Sequence, residues 1–277
     1  MKEKIGANIA RYRKECKITQ EELANQLHIS YQAVSKWETG QSLPDIISLN
    51  KIAEILHTNI ENLMGYSRIY TGNDYYEKQY QKDGYFWGVQ PSEMCLELLR
   101  LLPPSHQRIR VLDVGCGEGK DAVFLARCGY QVSAFDISET GIEKTRELAN
   151  QAGVSVDAFQ ADVQDYRIEA EMYDIIFSSG VFQYMKPELR GEILKNYKKH
   201  TNANGIHAFH VFVDKPFIAP PPDSETEITF SWKSGEIMTH YHDWLIENSE
   251  EIIFDCNSSG IPHQHAANIL FARKVGE

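Results

Sequence analysis

The run Val111–Lys120, VLDVGCGEGK, constrains this chain more than any other stretch. An apolar strand feeds a loop with glycine at Gly115, Gly117 and Gly119, and a helix-like segment follows (Asp121–Arg127). The next apolar run, Gln131–Phe135, ends in Asp136. This is the layout of a cofactor site at the carboxyl ends of a parallel sheet. Glycine lets the backbone turn tightly and approach a ligand, and a carboxylate ending the second strand can hold two ribose hydroxyls. A glycine loop alone is weak evidence, but this one has a strand before it, a helix after it and an acid about 20 residues on. A dinucleotide loop faces a pyrophosphate, which the acids here would repel. Asp113, two residues before the first glycine, suits a ligand that carries an ammonium group and no phosphate.

The stretch closely resembles motif I of class I S-adenosylmethionine (SAM)-dependent methyltransferases. The resemblance implies that Asp113, Gly115, Cys116 and Gly117 surround the methionine part of SAM. It implies that Asp136 and Ile137 hold the ribose. Asp162 and Val163, in Gln160-Ala-Asp-Val163, would flank the adenine. Ser178, in Ser178-Ser-Gly180, would line the path from sulfonium to acceptor. A plainer reading makes Asp162 a turn or helix-capping residue.

From Arg110 onward strands and helices alternate, which predicts a doubly wound α/β sheet. Strands are expected at 110–114, 131–136, 154–160, 173–178, 205–213, 250–254 and 267–274. Helices are expected near 119–128, 139–152, 187–200 and 235–247. Seven strands with a final hairpin fit the Rossmann-like methyltransferase sheet. Pro220-Pro221-Pro222 predicts a stiff loop after the fifth strand.

The first 66 residues read as five short helices, a small all-α domain. Thr19-Gln-Glu-Glu22 is a capping box, and Ser30 is a natural cap for the helix Tyr31–Glu38, which stops at Gly40. Pro44-Asp45 opens a fourth helix and residues 59–63 form a fifth. Two short helices joined by a short turn make a helix-turn-helix. The string TQEELANQLHISYQAVSKWETGQSLPD strongly resembles the lambda-repressor-like, XRE-type DNA-binding domain, over residues 4–66. The resemblance makes Tyr31–Trp37 the recognition helix and duplex DNA the partner. Gln32 is the best candidate for a base-edge contact, and Gln20, Tyr31, Ser35 and Lys36 can bond phosphates or bases. Trp37, Leu23, Val34 and Leu49 read as core. Protein contact is the rival use of such a bundle. Reading a palindromic operator takes two copies, so a homodimer is expected.

Three domains follow: 1–66 for the helix-turn-helix, 67–109 as an aromatic-rich linker and lid, and 110–277 for the methyltransferase. In the middle segment Tyr70, Tyr75, Tyr76, Tyr80, Tyr85, Phe86 and Trp87 are too many aromatics for a flexible linker. They predict a helix and loop over the active-site mouth, with simple domain packing as the alternative. Ser92–Leu102 reads as an amphipathic helix ended by Pro103-Pro104.

Charge narrows the partners. The net charge is −11, yet residues 1–66 balance at zero and residues 1–20 carry six basic against two acidic side chains. So acidic a chain is no general nucleic-acid binder, while its locally basic start suits DNA. The five cysteines are scattered without a CxxC, which argues for reduced thiols in the cytoplasm. No apolar run approaches membrane-spanning length and the start lacks an apolar signal region, so no membrane partner is expected.

The downstream segments Trp232–Glu236, His240–Trp244 and Ala272–Lys274 look like the tellurite-resistance (TehB-like) methyltransferase group, over residues 75–275. That resemblance implies methyl transfer to a small soft nucleophile, a thiol or chalcogen species. Tyr184, Trp87 and His263 are the expected catalytic residues, and Tyr85, Phe86 and Phe182 help shape the acceptor pocket. Methyltransferases acting on exocyclic amines of DNA bases usually carry an Asn/Asp-Pro-Pro-aromatic run after the fourth strand. Ser178-Ser-Gly-Val-Phe-Gln-Tyr184 has none, which counts against a DNA substrate. The tellurite group has basic residues late in the chain, where this one has Cys256, His263 and His265, so tellurite specificity is not carried over. Histidines two apart on a strand share a face. Those two with Cys256 can hold a metal or metalloid or orient an anion, but hydrogen bonding within the sheet is the plainer reading and no metal is expected. The histidines at 240 and 242 read as a solvated helix face. The other reading of the whole chain is a transcriptional regulator that senses SAM without turnover.

Overall fold

The computed structural model describes residues 2–56, 58, 60–64, 72–105, 108–219, 229–257 and 261–276. The chain divides into two compact units, Met1–Tyr70 and Thr71–Glu277. The triproline run, Tyr70 and residues 67–71 of the linker lie outside the described residues.

The first unit contains α1 (Lys2–Glu15), α2 (Gln20–Leu27), α3 (Tyr31–Glu38), α4 (Ile46–Ile55) and α5 (Ile60–Met64). Short helices need their ends satisfied. Both halves of the capping box form at the start of α2: the Glu22 amide donates to Thr19 Oγ1 at 3.1 Å, and the Thr19 amide to the Glu22 carboxylate at 2.6 Å. Ser30 caps α3 through the Ala33 amide, and Asp45 caps α4 through the Ser48 amide. Ile9, Leu23, Val34, Trp37, Leu49 and Ile52 are buried and pack into one core.

The second unit is built on a seven-stranded sheet of β1 (Arg110–Val114), β2 (Gln131–Asp136), β3 (Val156–Gln160), β4 (Tyr173–Ser179), β5 (Thr201–Val213), β6 (Leu245–Cys256) and β7 (His263–Arg273). The spatial order is β3-β2-β1-β4-β5-β7-β6. Pairings among β1 to β5 are parallel, and β7 runs antiparallel to both β5 and β6. Its helices are α6 (Gly72–Tyr80), α7 (Glu93–Leu101), α8 (Lys120–Arg127), α9 (Glu139–Gln151), α10 (Pro187–Lys199) and α11 (Glu236–Thr239).

Strand alternation divides the core into two layers. Val111 packs with Leu98, Leu125 and Phe271, whereas its neighbours Leu112 and Val114 join Tyr197, Phe209 and Trp232. The sheet order reverses between β1 and β4. In an open α/β sheet that switch point leaves a crevice outside the strand carboxyl ends. Loops leave β1 at Val114 and β4 at Ser179 on its two sides.

Two expectations are corrected. The helix expected at 235–247 is a single turn, Glu236–Thr239, and β6 starts at Leu245, five residues before the expected 250. Leu245 opposes Arg273 and pairing continues to Cys256 opposite His263, so the long ladder with β7 outweighs local helix propensity. The histidines at 240 and 242 therefore do not share a solvated helix face. His240 is half-buried with its ring against Trp232.

Candidate functional site

A cavity of about 1030 Å³ opens at the switch point of the second unit. Its wall includes Asp113, Gly115, Cys116, Gly117 and Asp136, residues from β1, β2 and the loop between β1 and α8. The Gly115 and Cys116 amides both donate to the Phe135 carbonyl, at 2.8 and 3.0 Å, which folds the loop against the end of β2. Gly115 has φ +74°, and a Cβ there would stand 2.6 Å from the Val181 side chain. Gly119 has φ +85°, and a Cβ would stand 2.7 Å from Thr145. Both positions need glycine for backbone conformation and for space.

Asp113 is buried, and its Oδ2 has no hydrogen-bond partner among the described residues. Burial pushes its carboxyl well above the ordinary range; Asp121 and Asp136 push the same way, while Lys120 and the Ala122 amide oppose them. A buried carboxylate without a partner is costly, and clustering of such groups in a cleft marks functional sites. Asp136 Oδ2 accepts from the Gly117 amide at 2.9 Å and Oδ1 from the Ser138 amide at 3.0 Å. Burial still raises its pKa, outweighing those amides. Cys116 is buried with its thiol pKa pushed up by burial and then by Asp113 and Asp136, which leaves it an inert wall atom.

The segment α6 to Trp87 covers this loop, and two polar anchors hold it there. Glu77 on α6 accepts from the hydroxyls of Ser138 and Thr140 at the start of α9, where a carboxylate also meets the positive end of the helix. Burial raises the Glu77 pKa, but the two hydroxyls and the Thr140 amide outweigh it and leave a net lowering. Lys144 pairs with the buried Glu118 at 2.9 Å and donates to the carbonyls of Lys82 and Gly84. Glu118 also accepts from the Trp87 amide at 3.3 Å. The loop acid is thus spent on the lid and does not stand free toward a ligand. Tyr76, Tyr80 and Trp87 line the cavity, and the Trp87 indole donates to Tyr80 Oη at 3.2 Å.

The cavity is also lined by Ser179, Gly180, Tyr184, His210, Phe212, Phe254, Cys256, His263 and His265. Tyr184 meets Tyr76 edge-on, with ring centroids 6.3 Å apart. The three expected catalytic residues, Trp87, Tyr184 and His263, therefore line the same cavity as Asp113, Gly115, Cys116, Gly117 and Asp136. The other expected cofactor residues are placed differently. Ser178 is fully buried and its hydroxyl donates to the Val114 carbonyl at 2.9 Å; its neighbours Ser179 and Gly180 reach the wall instead. Asp162 accepts from the Gln164 amide at 2.8 Å, a turn-stabilising bond, and Val163 packs into the core. The Ile137 carbonyl accepts from Gln160 Nε2 at 2.9 Å.

His210 was not singled out by the sequence. Its Nδ1 is buried without a hydrogen-bond partner among the described residues, and it stands beside the position a Gly180 Cβ would take. Burial, then His265 and Lys120, push its pKa down to about 4, so its ring is neutral at physiological pH. The available signal was period two on β5, which puts His210 on the same face as Phe212.

In the first unit Tyr31, Gln32 and Lys36 on α3 are exposed and Ser35 is half-buried. Gln20 is committed elsewhere: its Nε2 donates to Glu38 at 2.6 Å, and Glu38 also takes two donors from Arg13. That network ties α1, α2 and α3 together. Burial of Trp37 and Val34 leaves the opposite face of α3 to solvent.

The sheet order, the glycine loop at the switch point and the antiparallel final strand define a Rossmann-like methyltransferase fold. The crystal structure of TehB from Haemophilus influenzae shares it with a TM-score of 0.58 and 24% identity, over 73% of this chain and 66% of that one. So does the N-methyltransferase NodS from Bradyrhizobium japonicum, solved with S-adenosyl-L-homocysteine, with a TM-score of 0.56, 15% identity, and coverage of 73% of this chain and 97% of that one. The chain belongs to the TehB family: the family model described as tellurite resistance protein TehB matches residues 69–257. A helix-turn-helix model matches residues 9–63. The probable S-adenosyl-L-methionine-dependent methyltransferase TehB of H. influenzae is 26% identical over 180 residues, covering 65% of this chain. The match spans 58% of that relative's own length, less than two thirds of it.

Proposed function

We propose that the second unit is a SAM-dependent methyltransferase acting on a small soft nucleophile, a thiol or chalcogen species, and that the first binds duplex DNA as a homodimer and regulates transcription. The observation that carries the enzymatic reading is the partnerless Asp113 oxygen beside the glycine loop. It suits the ammonium of an amino-acid ligand and would repel a phosphate. Asp136 spends one bond per oxygen on backbone amides, and a carboxylate has about four acceptor sites, which leaves capacity for two ribose hydroxyls. Gly115, Cys116 and Gly117 would hold the methionine portion, Ile137 the ribose side, and Asp162 and Val163 the adenine. SAM bound there supplies an electrophilic methyl on a sulfonium.

The residues of the chain then act by alignment. The Gly180 turn, Tyr184 and Trp87 fix where an acceptor can sit, and the aromatic lid keeps water out. A soft acceptor needs little help from a base. Neutral His210 can orient it by hydrogen bonding without adding a charge that would repel a sulfonium, and His263 lines the same cavity. On the first unit Gln32 would reach a base edge, with Tyr31, Ser35 and Lys36 on phosphates or bases, while the donor of Gln20 supports α3 through Glu38.

The test is calorimetric binding of SAM followed by release of S-adenosylhomocysteine against thiols, sulfide, selenite, tellurite and a thiopurine. Asp136→Ala is expected to weaken SAM about 100-fold or more, since hydrogen bonds to a charged group contribute about 1.5–3 kcal/mol each. Unchanged affinity would refute the ribose assignment. Binding without turnover on any acceptor would replace the enzyme with a SAM-sensing regulator.

A further inference from the structure

The β6–β7 hairpin rises at the same sheet end as the carboxyl ends of the parallel strands, since β7 runs antiparallel to β5. At its tip Cys256 lies directly opposite His263, and Phe254 opposite His265. All four side chains fall on one sheet face and line the cavity. Cys256 Sγ and one ring nitrogen from each histidine lie within 4.8 Å of one another.

The hydrogen bonds constrain the tautomer of His263. His263 Nδ1 is 2.8 Å from the Ile261 carbonyl, which can only accept, so Nδ1 carries the proton. In the neutral ring Nε2 is then an acceptor, taking a hydrogen bond from His265 Nε2–H at 2.9 Å, a bond that a metal replaces once His265 carries its proton on Nδ1. A ring whose far nitrogen donates to a backbone carbonyl is the usual outer support of a metal-bound histidine. Around a tetrahedral zinc, neighbouring nitrogens would be about 3.3 Å apart and nitrogen and sulfur about 3.6 Å, from bond lengths of about 2.0–2.1 and 2.3 Å. The present spacings bracket those values, so small side-chain rotations suffice. A thiolate with two imidazoles selects a zinc-like ion over calcium or magnesium.

We infer that Cys256, His263 and His265 form a three-ligand site for a thiophilic divalent metal of the zinc class, its fourth position open to the cavity for a soft anion such as a thiolate. Three protein ligands and an open place are the pattern of a working site, as opposed to a closed structural one. A thiol taking that place gives up its proton to solvent and is held as thiolate in the cavity that Asp113 and the glycine loop also line. That this thiolate is the methyl acceptor rests on the proposed methyl transfer; the metal site itself does not.

Cobalt(II), added to the metal-free full-length protein, reports the site by absorption. The expected result is one cobalt per chain, with intense visible bands of tetrahedral character and a thiolate-to-cobalt charge-transfer band. Cys256→Ser should abolish that band, and His265→Gln should weaken cobalt at least tenfold. Cys128→Ser, at another half-buried thiol, should change neither. Adding 2-mercaptoethanol should strengthen the charge-transfer band of the wild type as a second sulfur binds. A protein without the band, or a Cys256→Ser variant that keeps it, overturns the site. A band indifferent to the added thiol overturns the open position. Calorimetric SAM binding, measured on the same metal-free protein, separates failure of the metal site from failure of the methyltransferase reading.

Discussion

Asp113 sits where stability and function pull in opposite directions. Its pKa is raised by burial, so the folded chain holds this proton more tightly than the unfolded chain does. Between the ordinary carboxylate pKa and the raised one the unfolded state binds fewer protons, and stability therefore falls as pH rises. Asp113→Asn should remove that slope. The melting temperature of the second unit at about pH 8 should rise by about 2–4 °C for each kcal/mol relieved, while affinity for a cationic ligand falls. Thermal melts from about pH 5 to about pH 8 test this, and an unchanged slope would locate the cost elsewhere. Such a position was readable in the sequence because a carboxylate just before the first glycine of a β–loop–α turn has few other uses. Ser178 was not: its hydroxyl turns back to Val114, 64 residues earlier, and only the neighbouring Ser179 reaches the cavity. Gln20 was likewise drawn away by Glu38, a partner 18 residues on.

At the level of elements, the glycine loop with its two strands was legible because strand, turn and helix signals all lie within thirty residues. The beginning of β6 was not. Its pairing with β7 is long-range, and the polar run at 247–251 carries no strong strand propensity. The anchoring of α6 by Glu77 was also hidden, since its partners lie about sixty residues on. In the first unit Glu38 does for three helices what no single cap can. Arg13 and Glu38 are largely buried and pair at 2.6 Å. The Arg13 pKa is raised chiefly by that hydrogen bond. Glu38→Ala leaves a buried guanidinium uncompensated, which costs about 3 kcal/mol. The variant should show an early melting transition that the second unit does not share. A single unchanged transition would mean that the pair contributes little.

At the scale of the molecule, the two proposed activities belong to two separate compact units. Gln32→Ala combined with Lys36→Ala should abolish operator retardation in a gel shift while methyl transfer proceeds unchanged, because neither side chain belongs to the cavity. Equal retardation by the variant would remove α3 from the DNA-reading role. Loss of methyl transfer would instead reveal coupling between the units. Among the described residues no helix is long and apolar enough to cross a membrane.

The position of β7 has a consequence for how the chain is made. β7 follows β6 in the chain yet is an interior strand, filling the place between β5 and β6. Every hydrogen bond that closes the sheet on that side waits for residues 263–273. The core of the first unit is complete by Leu63. The helical head can therefore be finished while the sheet stays open until residues 263–273 have been synthesised. In that interval β5 and β6 expose long unpaired edges, which invite the wrong partners. A chain stalled before residue 263 should hold a folded head on an aggregation-prone remainder, and pulse proteolysis of such nascent chains would read the order directly.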